Sequence, residues 1–289
     1  MTTSIRVARA DDLDAIAGFT ADTFEWGDYV TDEFPNWLDD PDGRVMVAVD
    51  DNGAAVAMGR GLMVSPSELW LQGARVSDPW RRQGLASAIG NALIGWAQER
   101  DAQVARLVTE TWNIPAQRQV EKAGFLPRGN WVVGSCKIDD KEPVASSNGG
   151  QRAKARRKLE QAHSSEAIPA WVSWRSGPLV APSRGLYARE WKWARLSADH
   201  LAAAAKHGEL WSSQAGWAIA TRDEDRLDVG WLECGPDDAD DMMRSLVDLA
   251  YATRTDRLRI TVPEVDWLTR PLERSGCELH PMIVYEYPL

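Results

Sequence analysis

A chain of 289 residues is long enough for one large domain or two of ordinary size. With 44% hydrophobic and 26% charged residues it has a soluble globular composition, and it contains no apolar run long enough for a membrane helix. The net charge of −10 argues against nucleic acid as the main partner, because neutralising phosphates needs a basic face, whereas a small cationic substrate is compatible with it.

The chain starts without an apolar signal core, so a cytoplasmic location is expected. Residues 5–8 alternate as a short strand. Residues 10–24 have Leu13, Ile16, Ala17 and Phe19 near helical spacing, and residues 31–43 read as a second short helix. Residues 44–53 and 54–65 form two strand-like runs meeting at Asp-Asn-Gly, a hairpin signal. Residues 68–76 alternate as a third strand, interrupted by Gly73, which marks a bulge. A helix from the 80s to about Asp101, a buried strand at residues 104–111, a helix at residues 114–125 and a strand at residues 130–138 follow. This order implies an α/β layer with a parallel pair near the middle.

Residues 139–168 change character and read as a linker with a basic cluster, Arg152–Lys158. The pattern then partly repeats. A helix at residues 197–208 is capped by Ser197, a second hairpin spans residues 216–235, and helix, strand, helix and strand follow to the end. Glu-Lys-Ala-Gly-Phe at 121–125 and Glu-Arg-Ser-Gly-Cys at 273–277 stand 152 residues apart, consistent with a degenerate tandem repeat of one fold. The expected division is therefore 1–140, a linker over 141–168, and 169–289. Cys136, Cys234 and Cys277 lie far apart without metal spacing and are expected as buried or idle thiols; no metal site is expected. Of the 15 tryptophans, six fall between Trp171 and Trp217, which points to core or interface, with an aromatic pocket as the alternative.

The chemistry concentrates in Arg81-Arg82-Gln83-Gly84-Leu85-Ala86-Ser87, between the interrupted strand and a helix. A helix's first turn has unpaired backbone N–H groups, and the helix dipole favours an anion there. Gly84 and Ala86 keep that turn open, Ser87 adds a hydroxyl, and the arginines add charge. The stretch lacks the glycine and lysine spacing of the dinucleotide and P-loop fingerprints. The corresponding place in the second half, Cys-Gly-Pro-Asp-Asp-Ala-Asp-Asp-Met at 234–242, carries four aspartates, which repel a pyrophosphate.

The run Val-Ser-Asp-Pro-Trp-Arg-Arg-Gln-Gly-Leu-Ala at 76–86 resembles the coenzyme A signature Arg/Gln-x-x-Gly-x-Gly/Ala of the GNAT acyltransferase superfamily. Residues 113–125 resemble its second motif, Asn-x-x-Ala-x-x-x-Tyr-x-x-x-Gly-Phe, and the element order is similar over residues 4–138. The resemblance implies a mixed, mostly antiparallel sheet with a central splayed parallel pair and flanking helices, here duplicated, the second copy without cofactor. It implies acetyl-CoA as cosubstrate, its pyrophosphate on the backbone of Arg82 to Ser87 beside Arg81. Its pantetheine arm would lie along Ala74, Arg75 and Val76, with Asn113 and Ala116 on the other side, and the Val76 N–H as an oxyanion donor. Val120 stands where many members carry a tyrosine that protonates the departing thiolate; Tyr29 or Tyr285 are hydroxyls that could substitute.

A general base must deprotonate the attacking ammonium. Glu110, after the strand beside the cofactor, is the preferred candidate, and Glu68 the other. Asp22, Glu25 and Asp28 are candidates for recognising a cation; an ordinary solvated role remains the alternative for each. The expected function is N-acetyl transfer from acetyl-CoA to a primary amine of a small molecule by direct attack on the thioester, in a monomer or homodimer. Acetylation of a protein N-terminus or lysine, and CoA binding without turnover, stay open as alternatives.

Overall fold

The structure, a computed structural model, describes residues 3–21, 23, 27–138 and 158–289. Asp22 and Glu25, and the basic cluster up to Arg157, lie outside the described residues. The chain divides into two compact units: Met1–Pro127 with Tyr285–Leu289, and Arg128–Val284.

In the first unit, β1 (Ser4–Val7), β2 (Gly43–Val49), β3 (Ala55–Ser65) and β4 (Glu68–Val76) pair antiparallel in sequence order. The turn between β2 and β3 is fixed by Asp50, whose carboxylate accepts from the Asn52 and Ala54 N–H groups, and by Gly53 at φ +83°. The period of two decides the packing. Val45, Val47 and Val49 pack with Ile16 of α1 (Leu13–Thr20) and with Val30, Phe34 and Trp37 of α2 (Val30–Asp39). Ala48 on the opposite face packs with Leu85, Ile89 and Leu93 of α3 (Leu85–Gln98). β5 (Val104–Glu110) runs parallel to β4, and α4 (Ile114–Lys122) follows, stopped at Gly124 with φ +92°. The unit is completed by residues 285–289: the Leu289 N–H donates to the Gln103 carbonyl, and Tyr287 packs on Phe125.

The second unit takes residues 128–137 of β6 (Leu126–Lys137), then β7 (Glu160–Gln161), α5 (Ala167–Ser176), β8 (Leu186–Arg189), β9 (Lys192–Arg195), α6 (Ala198–Lys206) and β10 (Leu210–Ser213). β11 (Gly216–Asp223), β12 (Arg226–Cys234), α7 (Ala239–Ala252), β13 (Arg257–Pro263) and α8 (Asp266–Arg274) follow, then β14 (Glu278–Pro288) up to Val284. β7, β10, β11 and β12 pair antiparallel, β12 and β13 parallel, and β13 and β6 antiparallel. Among these strand pairings, each unit thus holds one parallel pair, β4 with β5 and β12 with β13, beside antiparallel neighbours, as the sequence pattern predicts. Ser197 caps α6 by accepting from the His200 N–H.

Three expectations need correction. The division falls at residue 127, not 140, and the last five residues belong with the first unit. Alternating burial tells which face of a strand is inside but not which strand is its neighbour; Trp131, Val132 and Val133 of β6 bury in register with β13. The expected linker over 141–168 is ordered structure from Glu160, including a 3₁₀ turn and the start of α5. Finally, Cys136 and Cys277 form a disulfide within the second unit, and Cys234 alone is a free, buried thiol.

The tryptophan cluster is core in part: two of the six are fully buried. Trp174 and Trp193 are buried, packed edge-on against Trp231 and Trp131 respectively. Trp171, Trp211 and Trp217 are half-buried, and Trp191 is exposed above the Arg259 guanidinium. Among the described residues, no helix is long and apolar enough to cross a membrane, and no group of His, Cys, Asp and Glu is placed to hold a metal.

Candidate active site

Parallel pairing of β4 with β5 runs from Glu68–Val104 to Trp70–Arg106 among the described residues. Beyond Trp70 the two strands part, and the wedge opens at their carboxyl ends. β4 is re-aimed there by a bulge. Met58 stands opposite Arg75 and Arg60 opposite Gln72, so Gly73 and Ala74 together face the single residue Gly59. Gly73 adopts φ +66°, and a Cβ there would lie 3.1 Å from the Trp37 ring, so glycine is required twice over.

The register also orients the backbone of Val76. The Ser77 N–H donates to Val56 O, and Val76 lies opposite Ala57. Hydrogen-bonded and non-bonded pairs alternate, so the N–H and C=O of Val76 turn away from β3. Its carbonyl accepts from Arg81 Nε at 3.4 Å.

Next comes the turn into α3. Arg82 has φ +63° and Gly84, the N-cap, φ +81°; both are left-handed. No side chain caps the helix, and its first turn holds no acid. The first N–H groups of α3 have no intrahelical acceptor by geometry. Arg82 is exposed and makes no hydrogen bond or ion pair among the described residues, while Arg81 pairs with Asp78 at 2.7 Å at the surface. Gln83 donates to Pro79 O. A Cβ on Gly84 would meet nothing, so the turn opens outward. Ala86 and Ser87 are half-buried behind it. Uncapped donors, a basic residue without a partner and an open face together form a seat for a phosphate group.

The other predicted residues make the following contacts. Asn113 caps α4, its side chain accepting from the Ala116 N–H at 3.3 Å; these two groups meet each other. Gln117, which sequence reasoning missed, donates to the carbonyls of Glu110 and Thr111 and fastens α4 to the end of β5. Glu68 is buried at the paired end of the strands, 2.5 Å from Arg106 Nη1, whose Nε meets Glu286 at 2.8 Å. Glu110 lies half-buried at the parted end, with Thr109 Oγ1 at 3.4 Å. Val120 is half-buried on α4, and the Tyr285 hydroxyl reaches the next residue, donating to Glu121 at 2.9 Å. Burial, reinforced by that carboxylate, pushes the Tyr285 hydroxyl up to about 12.

A cavity of about 530 Å³ lies between α1 and α2, lined by Thr20, Asp28, Tyr29, Thr31 and Asp32 among others. Asp28 does not face it as a free charge: its carboxylate is 1% exposed and binds Arg75 Nε at 2.6 Å. That pair ties the start of α2 to the end of β4, and the Arg75 guanidinium lies over the Tyr29 ring. Burial raises the Tyr29 pKa. Asp32 is exposed.

Residues 13–125 match the model of the Acetyltransferase (GNAT) family. No curated protein matches the chain. The structure is similar to a GCN5-related N-acetyltransferase from Sphaerobacter thermophilus, with TM-score 0.68 and 14% identity over 99% of this chain and 95% of that one. It is similar to one from Kribbella flavida, with TM-score 0.52 and 14% identity over 100% and 72%. It also resembles a GCN5-related glucosamine N-acetyltransferase region of a fungal multi-domain β-N-acetylglucosaminidase, with TM-score 0.65 and 13% identity over 99% and 38%. Identities this low show the fold and not the substrate.

Proposed function

Taking residues 13–125 as a domain of the GNAT acetyltransferase family, we propose that the first unit transfers an acetyl group from acetyl-CoA to the primary amine of a small molecule. The observation that carries this reading is the uncapped, acid-free start of α3, with Arg82 and Gly84 left-handed, at the mouth of the β4–β5 wedge. The backbone of Arg82 to Ser87 would hold the pyrophosphate, and residues 74–76 would lie along the pantetheine arm. Acetyl-CoA supplies an acyl group already activated as a thioester. The Val76 N–H, turned away from β3, is available to the thioester oxygen. Glu110, at the parted end, takes the proton that the acceptor's ammonium must lose. Glu68, buried against Arg106, is not needed for this step.

The cavity between α1 and α2 supports a small acceptor, being of the size that small-molecule sites have, and Asp32 offers it a negative rim. Val120 gives no proton to the departing sulfur, but a thiol of pKa ~8.5 leaves tolerably as the anion. The second unit supports the expectation of one cofactor site: Asp240 and Asp241 occupy the first turn of α7, behind Asp237 and Asp238.

Calorimetric titration with acetyl-CoA tests the assignment. Gly84→Glu puts a carboxylate over the open turn at a left-handed φ, and binding should fall at least about 100-fold, or ~2.7 kcal/mol. Equal binding by both proteins would remove the cofactor assignment. Val120 favours one second reading, a protein that binds CoA without turnover. Thiol release over a panel of amines separates the two, since a sensor releases none with any of them.

A further inference from the structure

The second unit holds an open pocket of about 210 Å³, lined by Ser173, Ser213, Gln214, Trp217, Glu233 and Asp238 among others. Glu233, the penultimate residue of β12, is 4% exposed. Its Oε1 accepts from Ser173 Oγ at 3.1 Å. Its Oε2 is buried and has no hydrogen-bond partner among the described residues. The indole N–H of Trp217 is likewise buried without an acceptor. Room for the carboxylate is kept by Gly177, where a Cβ would collide with it.

A buried carboxylate is tolerated when a cation or several donors meet it. The first unit shows the satisfied version of this position. β4 and β12 are both nine residues long, and each leads into the long helix after it. The penultimate residue of β4 is Arg75, whose charge is met by the buried Asp28. The penultimate residue of β12 has the opposite sign and is met by a neutral serine. Among the described residues no lysine or arginine lines the cavity, and the other ionisable lining groups are Asp238 and the Cys234 thiol. Burial raises the pKa of the Glu233 carboxyl, against the Ser173 hydrogen bond. What the site lacks, among the described residues, is a counter-cation.

We propose that this cavity binds a small primary ammonium ion that also carries an oxygen acceptor, of amino-alcohol type. The ammonium donates to Glu233 Oε2, and the ligand oxygen accepts from the Trp217 N–H, which is a donor only. The volume equals about seven waters at ~30 Å³ each, enough for a ligand of a few heavy atoms. Asp238 on the wall disfavours a carboxylate on the ligand, which selects an alcohol over an amino acid. The inference does not rest on acetyl transfer by the first unit, and a chain that failed to bind acetyl-CoA would still bind here.

Calorimetric titration of the full chain with ethanolamine, without acetyl-CoA, is the test, with ethylene glycol as the uncharged analogue. One ethanolamine per chain is expected, with no binding of ethylene glycol. Glu233→Gln keeps the shape and removes the charge, and should weaken binding at least tenfold. Ser213→Val narrows the cavity and should weaken it as well. No heat with ethanolamine, equal binding of ethylene glycol, or undiminished binding in Glu233→Gln would overturn the proposal. If Glu233→Gln does not fold, undiminished binding in Ser213→Val overturns it.

Discussion

Arg106 sits with a nearly buried guanidinium between Glu68 and Glu286, and this fixes what Glu68 can do. Glu68 is thereby held against Arg106 at the paired end of β4 and β5, away from the wedge where the two strands part. Glu110, at the other end of the same strand, has no such partner in the described contacts beyond a long bond from Thr109. The two glutamates therefore separate by experiment. Glu110→Gln should lower kcat by about 10²–10⁴, the usual worth of a positioned general base. Glu68→Gln should leave kcat within a few-fold and instead cost about 1–3 kcal/mol of stability, because Arg106 keeps an acceptor but loses a charge. Steady-state rates and denaturant melts on the two variants check this, and a collapse of kcat in Glu68→Gln would reverse the assignment. The sequence ranked Glu110 above Glu68 by position along the strands. It could not show the reason, since Arg106 is 38 residues from Glu68.

The element that decides the site is β4 with the turn after it. Much of it is local and therefore legible. A glycine inside an alternating strand reads as a bulge, and Gly73 is one. Arginines and a glycine before a small-residue helix read as an anion seat, and α3 begins uncapped there. Asn113 and Ala116 were less legible, because a motif position does not tell whether a side chain points to a ligand or caps its own helix. Close packing between elements is invisible in the same way. Gly59 looks like any strand glycine, yet a Cβ there would come within 2.9 Å of Ile89 Cγ2 on α3. Gly59→Ala should destabilise by about 1–3 kcal/mol through overpacking. Adding Ile89→Ala should cost less in the double variant than the sum of the two single changes, with a coupling of about 0.5–3 kcal/mol. Additive melts would show that the helix moves away freely.

At the scale of the whole chain, two long-range links escaped the sequence. Cys136 and Cys277 read as unrelated thiols because 141 residues separate them; the sheet of the second unit brings their Cα atoms to 4.2 Å. Closing so long a loop removes much denatured-state entropy, up to about 4–5 kcal/mol in the chain-entropy account. Denatured without reductant, the protein should titrate one thiol, Cys234, and reduction should lower its melting temperature. Three titratable thiols would contradict the pairing.

The second link is the chain's end. A repeated element order invites cutting the chain between the copies, and a fragment of residues 1–140 looks self-sufficient by that logic. It lacks what completes the first unit. Glu286 is the second carboxylate on Arg106, Tyr285 holds Glu121 of α4, Tyr287 covers Phe125, and the Leu289 N–H satisfies Gln103. Without them a buried arginine loses a partner, and breaking such a pair typically costs about 3–5 kcal/mol. The edge of β5 beyond Gln103 also loses a neighbour, and domains of this size have only about 5–15 kcal/mol in total. Deleting residues 285–289 from the full chain should therefore abolish acetyl-CoA binding by the first unit, although the deletion lies about 200 residues from Gly84 in sequence. Calorimetry and limited proteolysis on the truncated protein check it. The second unit, which keeps residues 128–284 and its disulfide, should stay protease-resistant while residues 1–127 are digested. Retained acetyl-CoA affinity would show that residues 1–127 fold unaided.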